Sequence, residues 1–148
     1  MEKLIKIIKP LRIQAMEDDF IASVWRWLIT GVEREYLLID DCEVLLDAET
    51  FVAPKNMIFD GASIPRLFWS LVGNPYSGPQ RYAAVIHDAA YKRCMACDDA
   101  KTPKDTTRSE ADKFFRQMLI ARGATRLRAW LMWAAVRIFG RKAWRRRL

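Results

Sequence analysis

Histidine is all but missing from this chain of 148 residues, where His87 stands alone. A site that needs several histidine ligands is therefore excluded, and any imidazole chemistry falls to one residue. Cysteine is nearly as scarce. Cys42, Cys94 and Cys97 are too few, and odd in number, for a disulfide scaffold, so reduced thiols in a cytoplasm-like compartment are expected. Long apolar runs are also lacking: the longest, 129–136, is closed by Arg128 and Arg137 and falls far short of the ~20 residues that span a bilayer. The first ten residues interleave lysines with apolar side chains, with neither a continuous apolar stretch nor a small-residue cleavage site, so no signal peptide is expected.

What is present suits one domain over 1–148, because the length and the 51% hydrophobic content suffice for a real core. The formal charge is +7, and Arg141, Lys142, Arg145, Arg146 and Arg147 crowd into the tail 141–148. Such a balance favours a polyanionic partner, either nucleic acid or anionic lipid.

Read in order, the chain predicts an α+β fold: a small antiparallel sheet up to about Phe59, then about four helices over 64–140. Residues 1–13 mix lysine and aliphatic side chains around Pro10 and predict an arm or edge strand. The β-rich part runs over 23–59. Segments 23–30 and 33–40, with Gly31 between them, predict a hairpin, and 41–47 and 50–54 two further strands. Gly61 and Pro65 punctuate the change to helix: a first helix is expected over 65–72, and a second after Pro79. On the second, Tyr82, Val85, Ile86 and Ala89 form a core stripe, and His87, Tyr91 and Cys94 share another face. Ser109-Glu-Ala-Asp112 is expected to open a third helix ending at Gly123. The last begins near Thr125, with Leu127, Trp130, Leu131, Ala134, Ala135 and Ile138 as its apolar face and Arg126, Arg137 and Arg141 outside it.

His87 is the natural candidate for a general base, since imidazole exchanges protons near neutral pH and improves when a carboxylate fixes its tautomer. Asp88 is its chain neighbour, about 100° away around a helix, and cannot readily share the ring. Asp112 can, if the second and third helices pack antiparallel; Asp88 is then left as a hard oxygen ligand for a metal. The structural alternatives are equally concrete: a satisfied core histidine, and an Asp112 that closes a capping box with Ser109. Cys94-Met-Ala-Cys97 lacks the further ligands of a closed zinc site and reads as two thiols near a helix end. The last helix and tail interleave Trp130, Trp133, Phe139 and Trp144 with arginines, which suits an interfacial membrane helix, a nucleic-acid surface, or a core helix with a solvated basic end.

Two resemblances bear on these residues. The series Asp60-Gly-Ala-Ser-Ile-Pro65-Arg66, His87-Asp88-x-x-Tyr91, Ser109-x-Ala-Asp112-x-x-Phe115 and Trp133-x-x-Val136-Arg137-x-Phe139-Gly140 resembles a family of unassigned function found in tailed phages and prophages. That likeness implies a protein of the host cytoplasm or the virion, with other phage structural proteins as partners. More distantly, His87-Asp88-x-x-Tyr91 and Ala111-Asp112-x-x-Phe115 are similar to the helix pair of phospholipases A2. This second likeness implies that His87 deprotonates a water, Asp112 orients His87, Tyr91 is a further donor behind them, and Asp88 holds Ca2+; beside it, Asp60 is a candidate for a further oxygen ligand. Gly61, Ser63 and Arg66 would line the opposite lip. The glycine-rich calcium loop and flanking cysteines of phospholipases A2 are not found here. Two functions follow as expectations: a metal-dependent esterase of phage origin, or a non-catalytic phage accessory or virion-associated protein whose His–Asp pair is structural and whose basic aromatic end binds a partner.

Overall fold

The structure, a computed structural model, describes residues 5–15, 36–46, 49–59, 80–92, 96–97, 106–141 and 144. Among these residues two antiparallel sheets and three helices make up an α+β architecture. The strands are β1 (Ile5–Lys9), β2 (Ile13–Ala15), β3 (Tyr36–Leu38), β4 (Cys42–Leu46), β5 (Glu49–Ala53), β6 (Ile58–Phe59) and β7 (Ala96–Cys97). The helices are α1 (Gln80–Tyr91), α2 (Arg108–Ala121) and α3 (Arg126–Phe139). The helix expected over 65–72 and the hairpin arm 23–30 lie outside the described residues.

One sheet has the order β1-β4-β5-β7 and the other β2-β3-β6. β4 and β5 form a hairpin with Cys42 opposite Ala53 and Val44 opposite Phe51. Those four side chains are buried while Glu43 and Val52 between them are not, the period-two alternation of a sheet with one face on the core. The basic segment Ile5–Lys9 is indeed an edge strand, paired with β4 alone among the described residues. Lysines on that edge oppose pairing with another chain. The turn before β6 needs a left-handed residue, supplied by Asn56 at φ 65°, and Lys55 donates its N–H to Asp41 Oδ1 at 2.7 Å. The sheet does not end at Phe59: β7 returns late in the chain to pair with β5, with Cys97 opposite Phe51. Ala96 and Cys97, the second half of the CxxC, therefore lie in a strand at the edge of this sheet among the described residues, and not at a helix end.

Helix α1 is buried at eleven of its twelve positions, far beyond the single stripe that its periodicity predicts, because sheet and α2 both pack on it. It stops at Tyr91, and Cys94, expected on the His87 face, lies outside the described residues. Helix α2 begins earlier than expected. Its N-cap is Thr107, with Glu110 closing a capping box, and Asp112 sits inside the helix with no capping duty. At its other end Gly123, at φ 92°, donates to Ile120 O and Ala124 N donates to Leu119 O, the pair of bonds of a Schellman stop. Contacts between His87 and Phe115 at one level and Tyr91 and Arg108 at the next make α1 and α2 antiparallel.

Helix α3 corrects the sequence reading most sharply. Its core face is Ala129, Met132, Ala135 and Val136, whereas Leu127, Trp130 and Ile138, expected inside, are exposed. No helix among the described residues is long and apolar enough to cross a membrane.

Candidate functional site

The three helices meet at one carboxylate. Asp112, on α2, is wholly buried. Its Oδ1 accepts the Tyr91 hydroxyl at 2.7 Å and lies 2.9 Å from His87 Nε2, both from α1. Its Oδ2 accepts Arg137 Nη1 of α3 at 2.9 Å, with Arg108 Nε at 3.8 Å. His87 and Tyr91 reach the same oxygen because they are four apart on a helix, hence on one face, and their rings lie 4.2 Å apart between centroids.

Burial alone would push the Asp112 carboxyl up, but the hydrogen bonds from His87, Tyr91 and Arg137 outweigh it and hold the group below its ordinary value. Asp112 is therefore an anion at neutral pH. An ionised carboxylate only accepts, so His87 Nε2 carries the proton and the neutral ring has its lone pair on Nδ1. Tyr91 is raised well above the usual phenol by burial, and Asp112 adds to that rise against an opposing bond from Arg108, so it stays a donor. This is the arrangement by which a carboxylate selects one tautomer of a base and stabilises the imidazolium formed on protonation.

Around this centre the packing is close. Arg108 donates through Nε to Tyr91 Oη at 3.2 Å and through Nη2 to the carbonyls of Val136, at 3.1 Å, and Arg137. It thereby ties the end of α3, where Val136 O also accepts the Gly140 N–H, to the network. Gly140 is required there by space: a Cβ would meet Val136 O at 2.4 Å and Tyr91 Oη at 2.8 Å. The Phe115 ring lies 4.9 Å from His87, and Trp144 packs edge-on to Tyr91 at 5.1 Å.

Of the residues singled out in the sequence, the structure brings His87, Tyr91 and Asp112 together. Asp88 is buried on the same helix, 3.2 Å from the ammonium of Lys92 one turn on. Asp60, Gly61, Ser63 and Arg66 lie outside the described residues. As for Ca2+, a hard cation asks for six to eight oxygens. Among the described residues no three His, Cys, Asp or Glu side chains converge, and Asp88 faces Lys92; Asp60, the other oxygen ligand expected, lies outside those residues. Sequence reasoning missed Arg108, Arg137 and Gly140 as members of the cluster. Arg108 was detectable, since it precedes Asp112 by four residues on one helix. Arg137 was not, because only tertiary packing swings it onto another helix's carboxylate.

Fold and site together define a class: an α+β protein with a buried His–Asp–Tyr cluster on an antiparallel helix pair, locked by two arginines. The family described as Protein of unknown function (DUF1353) matches residues 36–136, and the chain belongs to that family. The matched span runs from β3 through most of α3 and contains His87, Asp88, Tyr91 and Asp112. The uncharacterized protein y4jT of Sinorhizobium fredii (strain NBRC 101917 / NGR234) is similar, 35% identical over 88 residues, which cover 59% of this chain and 23% of the relative. The chain thus spans about a quarter of that relative's length. No solved structure matches.

Proposed function

We propose that the chain is a hydrolase of phage or prophage origin that cleaves an ester, with lipid esters the first class to try. One observation carries the reading: His87 Nε2 lies 2.9 Å from the buried Asp112 carboxylate, which Tyr91 also holds. In the proposed reaction a water attacks the ester carbonyl carbon as His87 Nδ1 takes its proton. Asp112 balances the imidazolium charge, and the proton then passes to the departing alkoxide oxygen, leaving an acid and an alcohol. Tyr91 and Asp112 are positioning residues in this scheme. No step in this scheme is routed through a metal.

The test is hydrolysis of a panel of phospholipids and soluble esters, run with Ca2+ and with a chelator. Loss of the base should lower kcat/KM on a cleaved substrate by ~100-fold or more in His87→Gln. A wild-type protein that cleaves nothing, or a His87→Gln protein that matches it, refutes the reading.

A second reading draws on a different observation. Asp112 is also tied to Arg137, so one carboxylate joins α1, α2 and α3. A phage accessory or virion-associated protein using the cluster as an internal strut fits that tie. It expects His87→Gln to reduce stability by ~1–3 kcal/mol, as one buried polar group loses its partner, without any catalytic readout.

A further inference from the structure

The outward face of α3 is apolar where a solvent-facing helix is ordinarily polar. Leu127 and Ile138 are each 69% exposed and Trp130 is 47% exposed, with Leu131 and Ala134 part-buried between them. At 100° per residue these five side chains fall in one sector opposite the core-facing Ala129, Met132 and Val136. Arg126 and Arg141, both exposed, flank the same sector, with Arg137 between them at its edge. Of the seven large exposed hydrophobics among the described residues, three, Leu127, Trp130 and Ile138, thus share this one sector, while Phe139 falls outside it. A concentration of this kind marks an interaction surface, whereas single exposed apolar residues do not.

Charge says what kind of partner fits. From Lys113 to Leu148 the chain has 11 lysines and arginines and no aspartate or glutamate, while all 18 acidic residues lie before that point. The net positive charge is thus a property of the part of the chain that bears the apolar stripe. An apolar stripe flanked by cations, with no carboxylate in the helix, complements an anionic surface with a hydrocarbon interior. It suits a polynucleotide less well, since leucine and isoleucine offer bases neither a stacking plane nor a hydrogen bond.

We propose that α3 docks on an anionic lipid surface, lying in its plane with Leu127, Trp130 and Ile138 at the acyl boundary and Arg126 and Arg141 at the headgroups. Helix α3, at 14 residues, is too short to span the hydrocarbon core and long enough to lie along it. The contact does not depend on the hydrolase reading, because neither Leu127 nor Ile138 belongs to the Asp112 network.

The experiment is cosedimentation of the full chain with vesicles of phosphatidylcholine alone or mixed with phosphatidylglycerol. The wild type should partition onto the anionic vesicles only, less so as salt rises. Leu127→Gln with Ile138→Gln should weaken partitioning by about tenfold or more while leaving the urea melt in place, since both side chains are exposed. Arg126→Gln and Arg141→Gln should each weaken it about fivefold and flatten its salt dependence. Failure of the folded wild type to bind anionic vesicles would overturn the proposal. So would vesicle binding that the Leu127→Gln/Ile138→Gln protein retains in full. If vesicles fail but a short DNA duplex binds, nucleic acid is the partner; if a dimer forms that the same pair abolishes, without vesicle binding, the face is a self-contact.

Discussion

Replacing Asp112 by asparagine keeps the side chain's shape and removes its charge, which isolates what the anion contributes. The carboxylate accepts two hydrogen bonds on Oδ1, from Tyr91 and His87, and one on Oδ2, from Arg137. An asparagine can still satisfy most of these donors. With its oxygen turned to Arg137, its amide would face Tyr91, whose hydroxyl can rotate to accept, and His87, which can change tautomer. What is lost is the charge-assisted part of each bond, about half its strength, and the counter-charge for Arg137 and Arg108. Breaking a buried ion pair costs ~3–5 kcal/mol, and the Arg137 side chain, at 36% exposure, recovers part of that from water. The expected loss is therefore ~2–4 kcal/mol at pH 7, read as a lower urea midpoint at unchanged slope.

The pH dependence has a definite sign. The Asp112 pKa is lowered in the folded state, so the unfolded chain binds the proton more readily, at about 3.9 for a free aspartate. The stabilisation is fully present above about pH 5 and disappears as pH falls through the native value. The difference in stability between wild type and Asp112→Asn should therefore be constant from pH 7 to pH 5 as far as this carboxyl is concerned, and shrink below pH 4. Taking the difference cancels distant carboxylates that titrate in both proteins. A gap under ~0.5 kcal/mol at pH 7, or one that persists undiminished at pH 3, would refute the reasoning.

Other outcomes follow from single features. Gly140→Ala forces a methyl against Val136 O and Tyr91 Oη, and should lower stability by ~1–3 kcal/mol, with Gly140→Ser no better; a melt unchanged from wild type would show that α3 can move away freely. Thr107→Ala removes the hydroxyl half of the α2 capping box, leaving its backbone N–H on Glu110 Oε2, and should cost ~0.5–2 kcal/mol in a urea melt. Cys42 is buried and its thiol is pushed up to about 12, first by burial and then by Glu43, so peptide mapping after iodoacetamide at pH 8 should find it unmodified in the native protein and labelled in urea.

Local chemistry made much of this architecture visible in advance. The Cys42–Leu46 and Glu49–Ala53 strands follow from alternation, the stop at Gly123 from its need for a left-handed residue, and the meeting of His87 with Asp112 from their places on consecutive helices. The helix ends were less legible. Ser109 and Thr107 both suit an N-cap, and only Thr107 has a glutamate three residues on, a distinction that favours the observed start. Two misreadings have one physical source, which is that helix α3 is apolar on both sides. Its sequence offers Leu127, Trp130, Leu131 and Ile138 on one face and Ala129, Met132, Ala135 and Val136 on the other, and bulk favoured the first. The fold uses the second, which packs on α2 and leaves Gly140, just past the end of α3, close enough to Tyr91 that a Cβ would meet its hydroxyl. That same rotation carries Arg137 onto Asp112, so reversing the face also hid the ion pair.

The division of Asp112 between its two oxygens orders the variants. Oδ2 and the arginines hold the carboxylate as an anion whether or not His87 is present, while Oδ1 is shared between Tyr91 and His87. Removing His87 therefore deletes one of three donors and leaves the ion pair intact, whereas removing the charge at Asp112 weakens all three at once. In urea melts His87→Gln should cost less than Asp112→Asn, and the cost should fall further if glutamine's amide donates to Oδ1 in place of Nε2. A purely structural histidine would then lose no more than the ~1–3 kcal/mol of its bond, and less wherever the glutamine amide takes over the donation. A base could not be replaced in this way, since an amide cannot take a proton from water at neutral pH, and folding and turnover would part company in the same protein. Near-wild-type stability with turnover lost marks His87 as the base; near-wild-type stability with turnover intact removes it from the chemistry altogether.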